Sequence, residues 1–141
     1  MKSMVLLIDT NILLNYLTNR EDTYLEQSVK IVEMCAKGEC AGYIAFHTLS
    51  ILWYVLRKRS DRERRQNLRD ICEIFQVASV SQKEILKAID KDVFSDFEDC
   101  LQDKCAKEIG ADYIITCNIK DFEHSEIPAI NPMDFLKLME N

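Results

Sequence analysis

A short apolar run, Met4-Val5-Leu6-Leu7-Ile8, ends abruptly in Asp9-Thr10-Asn11. So brief and unbroken a run suits a strand buried on both faces, and the polar triplet suits the turn that leaves it. A strand of that kind needs a layer above it and a layer below it, which confines the chain to sheets covered by helices.

The remaining sequence supplies those layers in alternation. Helices are expected from Asn11 to Leu17 and from Asp22 to Lys37, the second carrying Val29, Ile31, Val32, Met34 and Cys35 at helical spacing and stopped by Gly38. Ala41 to Phe46 reads as a second strand, and Thr48 to Arg57 as a helix with Leu49, Leu52, Trp53 and Leu56 on one stripe. A charged helix from Asp61 to Phe75, a strand from Gln76 to Val80 and a helix opened by the capping box Ser81-x-x-Glu84 follow. A second capping box, Ser95-x-x-Glu98, opens a helix to Ile109 with Gly110 as its stop. A strand from Asp112 to Thr116, an extended pair Ala129-Ile130 and a helix from Pro132 to Met139 close the pattern. Strands alternating with helices predict an α/β fold with a mainly parallel sheet.

Residues 1–141, 48% of them hydrophobic, provide one core of ordinary size, and three glycines and two prolines leave no composition for a linker. The apolar runs are too short to span a bilayer or serve as a secretory signal, so a cytoplasmic protein without a membrane partner is expected. The six cysteines form no C-x-x-C pair, and several fall at apolar helix or strand positions where a reduced thiol behaves as a small hydrophobe.

The net charge of -6 excludes a protein that coats nucleic acid by bulk attraction. Between Arg57 and Arg69, however, seven basic side chains face only Asp61 and Glu63. That stretch is either a solvated helix surface or a local phosphate-contacting patch.

Ligands of open α/β sheets bind beyond the carboxyl ends of the strands. Three places qualify here: Asp9 with Asn11, His47 with Thr48, and Thr116 with Asn118 and Asp121. On the helix from Ser95, Asp96, Asp99 and Asp103 line up opposite Phe97, Leu101, Cys105 and Ile109. Convergent carboxylates suit hard cations such as Mg²⁺ or Mn²⁺, which take oxygen ligands and keep several waters. The structural alternatives are that Asp9 caps a helix, that Asp96 and Asp99 meet a helix dipole, that Asp121 belongs to a turn, and that Asp103 faces solvent. His47 and His124 are isolated and read as structural or surface residues.

Three pieces in this order, VLLIDTNILLNYL with Asp9 and Asn11, FSDFEDCLQDKCAKEIGADYIIT with Asp96 and Asp99, and TCNIKDF with Thr116, Asn118 and Asp121, resemble the PIN-domain family. In particular they are similar to the toxin ribonucleases of toxin-antitoxin pairs. The resemblance implies a PIN-like three-layer sandwich and Mg²⁺- or Mn²⁺-dependent cleavage of RNA. It implies Asp9 and Asp99 as principal metal ligands, Asp96 as a further ligand directly or through water, and Asp121 as an assisting acid at the margin, the four making up the catalytic set. Asn11 and Thr116 would orient carboxylates or water, and Arg57, Lys58, Arg59 and Arg62 would hold the RNA backbone. An antitoxin and a second copy of the chain are implied partners. Two departures stand out: Ser50 occupies the place of the family's glutamate after the second strand, and Asn118 stands where an aspartate is usual. They leave a second reading, a catalytically degenerate PIN domain that binds RNA or protein. A DxD phosphatase would want an acid where Asn11 stands, and a phosphoacceptor domain would want acids ahead of its central aspartate; neither is present.

Overall fold

The computed structural model describes residues 3–140. In chain order the elements are β1 (Val5–Ile8), α1 (Thr10–Thr18), α2 (Leu25–Ala36), β2 (Ala41–Ala45), α3 (Thr48–Val55), α4 (Asp61–Ile74) and β3 (Gln76–Ala78). They continue with α5 (Gln82–Asp90), α6 (Phe97–Glu108), β4 (Tyr113–Ile115), a 3-10 turn (Ile119–Phe122), β5 (Ala129–Ile130) and α7 (Pro132–Met139). The five strands run in the order β3-β2-β1-β4-β5, and every neighbouring pair is parallel.

β1 is buried on both faces, as its unbroken apolar run requires. Leu6 and Ile8 face one layer, with Ile12 of α1, Ile31 of α2, Leu52 of α3, Ile71 of α4 and Phe135 of α7. Leu7 faces the other, with Ala45, Ala78, Cys105 and Ala106 of α6, Ile114 and Phe122. These two clusters make a three-layer sandwich and remove the central strands from water, the dominant favourable term in such a fold. Gly38 and Gly110 follow α2 and α6 with positive φ, 77° and 65°, the left-handed conformation that ends a helix without a Cβ penalty. Among the described residues no helix is long and apolar enough to cross a membrane.

Three local expectations change. β3 ends at Ala78 rather than Val80, because it lies at the sheet edge and pairs only with β2. α6 is capped by Asp96 and not by Ser95: the Asp96 carboxylate accepts the Glu98 backbone N–H at 2.9 Å. Starting the helix there leaves Phe97 on the surface, 45% exposed, instead of against the core with Leu101 and Cys105. The cysteines are all free, but Cys72 is exposed on α4 while Cys35, Cys40, Cys100 and Cys105 are buried.

Asp103 departs furthest from expectation. It is not solvent-facing but 1% exposed, and its two oxygens accept the backbone N–H of Glu126 at 3.1 and 3.0 Å. Oδ1 also accepts the N–H of Ile127 at 3.2 Å, and the Lys91 ammonium lies 4.0 Å from Oδ2. A buried carboxylate survives by such charge-assisted bonds, and here it ties α6 to the segment that leads into β5.

Candidate functional site

The chain leaves β1 toward β2 and β3 and later returns to β4 on the opposite side of β1, so the order of the sheet reverses between β1 and β4. A crevice opens beyond the carboxyl ends of strands at such a reversal. Asp9 follows the last residue of β1 and is pinned there, its own N–H bonded to the Ile115 carbonyl of β4 at 2.9 Å. It stands at the N-cap of α1 but makes no side-chain cap. Its Oδ2 instead accepts the Thr116 hydroxyl at 2.7 Å, and its Oδ1 accepts the Gln102 amide N–H at 2.8 Å. Asn11 adds a longer bond of 3.5 Å.

Asp9 forms one wall of a cavity of about 190 Å³ that is also lined by Asn11, Ile51, Asp96, Glu98, Asp99, Gln102 and Asp121. No basic side chain lines it. The junction of β1 and α1 contributes Asp9, α1 contributes Asn11, the N-cap of α6 contributes Asp96, α6 itself contributes Glu98, Asp99 and Gln102, and the turn after β4 contributes Asp121. Thr116 is fully buried behind Asp9, while Asn118 stands outside, donating to Asp121 Oδ2 at 3.0 Å. The structure thus gathers Asp9, Asn11, Asp96, Asp99 and Asp121 around one space, with Thr116 and Asn118 bonded to members of that ring.

Ser50 is not part of it. That side chain is exposed, and its neighbour Ile51 lines the cavity. A helix turns about 100° per residue, so a displacement of one position on α3 exchanges the face that looks inward. An apolar side chain therefore occupies this part of the wall. Gln102 was missed altogether, although it lies one turn beyond Asp99 on the same helix face, and that spacing was its only sequence signature. Glu98, read only as a capping residue, also lines the cavity. His47 lies outside the lining: its Nε2 is 3.0 Å from the Glu98 carbonyl, and burial lowers its pKa. Thr48 is buried against Thr10 at 3.1 Å.

Acids without cations raise one another's affinity for protons. Burial, then the charges of Asp9, Asp96, Asp121 and Glu98, push the Asp99 carboxyl up to about 7. Asp9 is also raised, by its burial, against the opposing effect of the bonds from Gln102 and Thr116. No three His, Cys, Asp or Glu side chains among the described residues converge as they stand on one coordination point. The acids ring the space instead, as mutually repelling carboxylates do. The donor set nonetheless fits a hard divalent cation, since it is all oxygen, partly dehydrated and uncompensated by any lysine or arginine.

The raised Asp99 pKa gives a stability prediction with a definite sign. Ionised Asp99 is disfavoured by the fold, so its stabilising contribution is present below about pH 4 and lost as pH rises through about 7. Without divalent cations, Asp99→Asn should melt about 3 to 6 °C above the unsubstituted protein at pH 8, the full shift being discounted for partial exposure. At pH 4 the two should melt together. Thermal melts in a chelating buffer at both pH values check this.

The basic patch is divided between structural and available groups. Arg59, expected on RNA, turns inward: it donates to the Leu17 carbonyl at 2.7 Å and to Asn67 Oδ1 at 2.9 Å. Arg64 lies on the Trp53 ring at 3.6 Å, Arg57 stacks on Tyr54 at 4.4 Å, and Arg65 pairs with Asp61. Lys58 and Arg62 are exposed and have no bonded partner among the described residues. A larger hollow of about 490 Å³ lies beside this patch, lined by Trp53, Arg65, Leu68, Arg69 and Cys72. It contains no carboxylate, so the oxygen-ligand chemistry belongs to the smaller cavity.

A family model of the PIN domain matches residues 5–120. The chain belongs to the PIN-domain family. No curated protein matches it significantly in sequence. Among solved structures, this PIN domain is similar to VapBC2 from Rickettsia felis bound to a fragment of its promoter DNA, at 18% identity and a TM-score of 0.66, covering 91% of this chain and 98% of that one. It is similar to VapBC-1 from nontypeable Haemophilus influenzae, at 17% identity and a TM-score of 0.63, over 92% and 99% of the two chains. It is also similar to Mycobacterium tuberculosis VapC20, a sarcin-ricin loop cleaving toxin, at 14% identity and a TM-score of 0.59, over 77% and 86%. Identities this low establish a shared fold, and the PIN-domain sandwich is that fold.

Proposed function

We propose that the cavity is a divalent-cation site at which this PIN domain cleaves single-stranded RNA, as the toxin of a toxin-antitoxin pair. The observation that carries the reading is the ring of Asp9, Asp96, Glu98, Asp99 and Asp121 at the strand-order reversal, with no lysine or arginine in the cavity lining. Asp9 and Asp99 would hold Mg²⁺ or Mn²⁺, with Asp96 and Asp121 completing the acidic set. Such a cation, when bound, supplies positive charge to the scissile phosphate and lowers the pKa of the attacking water. Thr116 and Gln102 keep the Asp9 carboxylate in one rotamer by taking one oxygen each. Asn118 does the same for Asp121, and Asn11 lies within reach of both Asp9 and the cavity. Asp96, with Oδ1 committed to the cap of α6, has one oxygen left for a water or a cation.

The solved relatives supply the context. Two are VapBC structures and one is a sarcin-ricin loop cleaving toxin, which supports an antitoxin partner and a dimeric assembly for this chain. Ile51 favours a second reading, a degenerate domain that binds RNA without cutting it, because the part of the cavity wall that α3 supplies carries no acid. Incubation with mixed-sequence single-stranded RNA separates the two. Cleavage that stops on chelation and resumes with Mn²⁺ supports the ribonuclease; RNA binding that persists without cleavage under any divalent ion leaves the binding module.

Lys58 and Arg62 are the available backbone contacts. Replacing either by alanine should flatten the salt dependence of RNA affinity in chelator by about 0.7 in log K per log salt, one phosphate contact on a single strand. Arg59→Ala should lower the melting temperature instead, through its lost bonds to Leu17 and Asn67. Salt titrations of fluorescent RNA binding, beside thermal melts, check both.

A further inference from the structure

Gln102 is 2% exposed, sits one turn beyond Asp99 on α6 and lines the acidic cavity. Its amide orientation follows from its neighbour. In the ionised form that a cation ligand must take, Asp9 can only accept, so the group 2.8 Å from Asp9 Oδ1 is then the NH₂ end; the reverse orientation would set two acceptors against each other. The carbonyl Oε1 is then left buried with no hydrogen-bond partner. A buried acceptor in that condition lacks a donor or a cation. The other buried side-chain atom without a partner among the described residues, His47 Nδ1, belongs to a residue that does not line the cavity.

Ile51 bears on the same point. The cavity wall that it forms supplies no oxygen, so the ligand set is one donor poorer than a fully acidic ring. A glutamine carbonyl is an accepted oxygen ligand of hard cations, neutral where an added acid would increase the repulsion among Asp9, Asp99 and Asp121. We propose that Gln102 has two functions in the site, its N–H fixing Asp9 and its carbonyl oxygen serving the bound divalent cation as a neutral ligand. This rests on the cation site proposed above and assigns it a further residue.

Mn²⁺ alone is the probe, titrated by calorimetry into the full chain and its Gln102→Met and Gln102→Glu variants, with thermal melts alongside. Methionine keeps the volume and the helix but removes both polar functions, and should weaken Mn²⁺ about 10- to 100-fold. Glutamate loses the donor to Asp9 but keeps an oxygen at the same reach, so it should bind Mn²⁺ at least as tightly as the unsubstituted protein. If both variants weaken equally, or neither changes, the carbonyl is not a ligand and the inference falls while the cation site stands. If the unsubstituted protein itself takes up no Mn²⁺ at millimolar concentration, the cation site falls and this inference with it. Should the methionine variant not fold, weakening in Gln102→Glu alone overturns the proposal, and retained or tighter binding supports it.

Discussion

Asp9→Asn should reduce RNA cleavage by roughly 10³-fold, the largest effect expected of any single substitution outside the core. The side chain is held at the end of β1 by Thr116 and Gln102, so the change alters charge and donor pattern without moving the backbone. A cation-ligand charge placed at a reacting phosphate is worth several kcal/mol, and about 4 kcal/mol corresponds to a thousandfold in rate. The Thr116 hydroxyl still finds an acceptor in the asparagine oxygen, and the Gln102 amide must turn over so that its carbonyl accepts from the new NH₂, which keeps the stability cost small. Initial rates on mixed-sequence single-stranded RNA in Mn²⁺ measure the effect, and a variant within about threefold of the unsubstituted rate would remove Asp9 from the mechanism.

The second large effect is on folding. Asp103→Ala should lower the melting temperature by about 10 °C, because it strands the buried N–H groups of Glu126 and Ile127 and leaves Lys91 without its carboxylate. Deleting one partner of a buried charged network costs about 3 kcal/mol, and a chain of this size loses roughly 3 °C per kcal/mol. Asp103→Asn retains an acceptor oxygen and should lose about half as much. Thermal melts of the two variants check the ordering, and equal melting temperatures for Asp103→Ala and the parent would show that the buried contacts contribute nothing net.

Asp103 also shows where a sequence stops being readable. Its spacing from Asp96 and Asp99 places it near one acidic face, but whether that face meets water or another segment depends on residues 126 and 127, which fold back from more than twenty positions away. Arg59 misled for the same reason: its acceptor is the Leu17 carbonyl, 42 residues earlier. By contrast β1 was legible because its burial on both faces is written locally, as an uninterrupted apolar run, and Asp9 was legible because it ends that run. The alternation of strands and helices was readable too, and with it the PIN-like sandwich that the family match and solved relatives show.

The errors inside the site were small shifts in helix register. Ser95 and Asp96 both begin an acceptable cap three residues ahead of an acid, and only packing decides between them. Ser50 and Ile51 differ by one position on α3, yet one faces water and the other the cavity. Gln102 escaped notice because an uncharged side chain gives no pattern against a helix otherwise full of acids and lysines. Its part is visible only when its amide bond to Asp9 and its orphaned carbonyl are seen together.

If the ring of acids at the β1–β4 reversal holds a divalent cation as proposed, Mn²⁺ must bind there, and its binding must depend on Asp99. Calorimetric titration of Mn²⁺ into the unsubstituted protein and Asp99→Asn at pH 8 tests it most directly, since Asp99 is ionised at that pH. Saturable binding by the parent, weakened at least about tenfold in Asp99→Asn, is the predicted result. No heat of binding at millimolar Mn²⁺, or equal affinities for the two proteins, would contradict the claim.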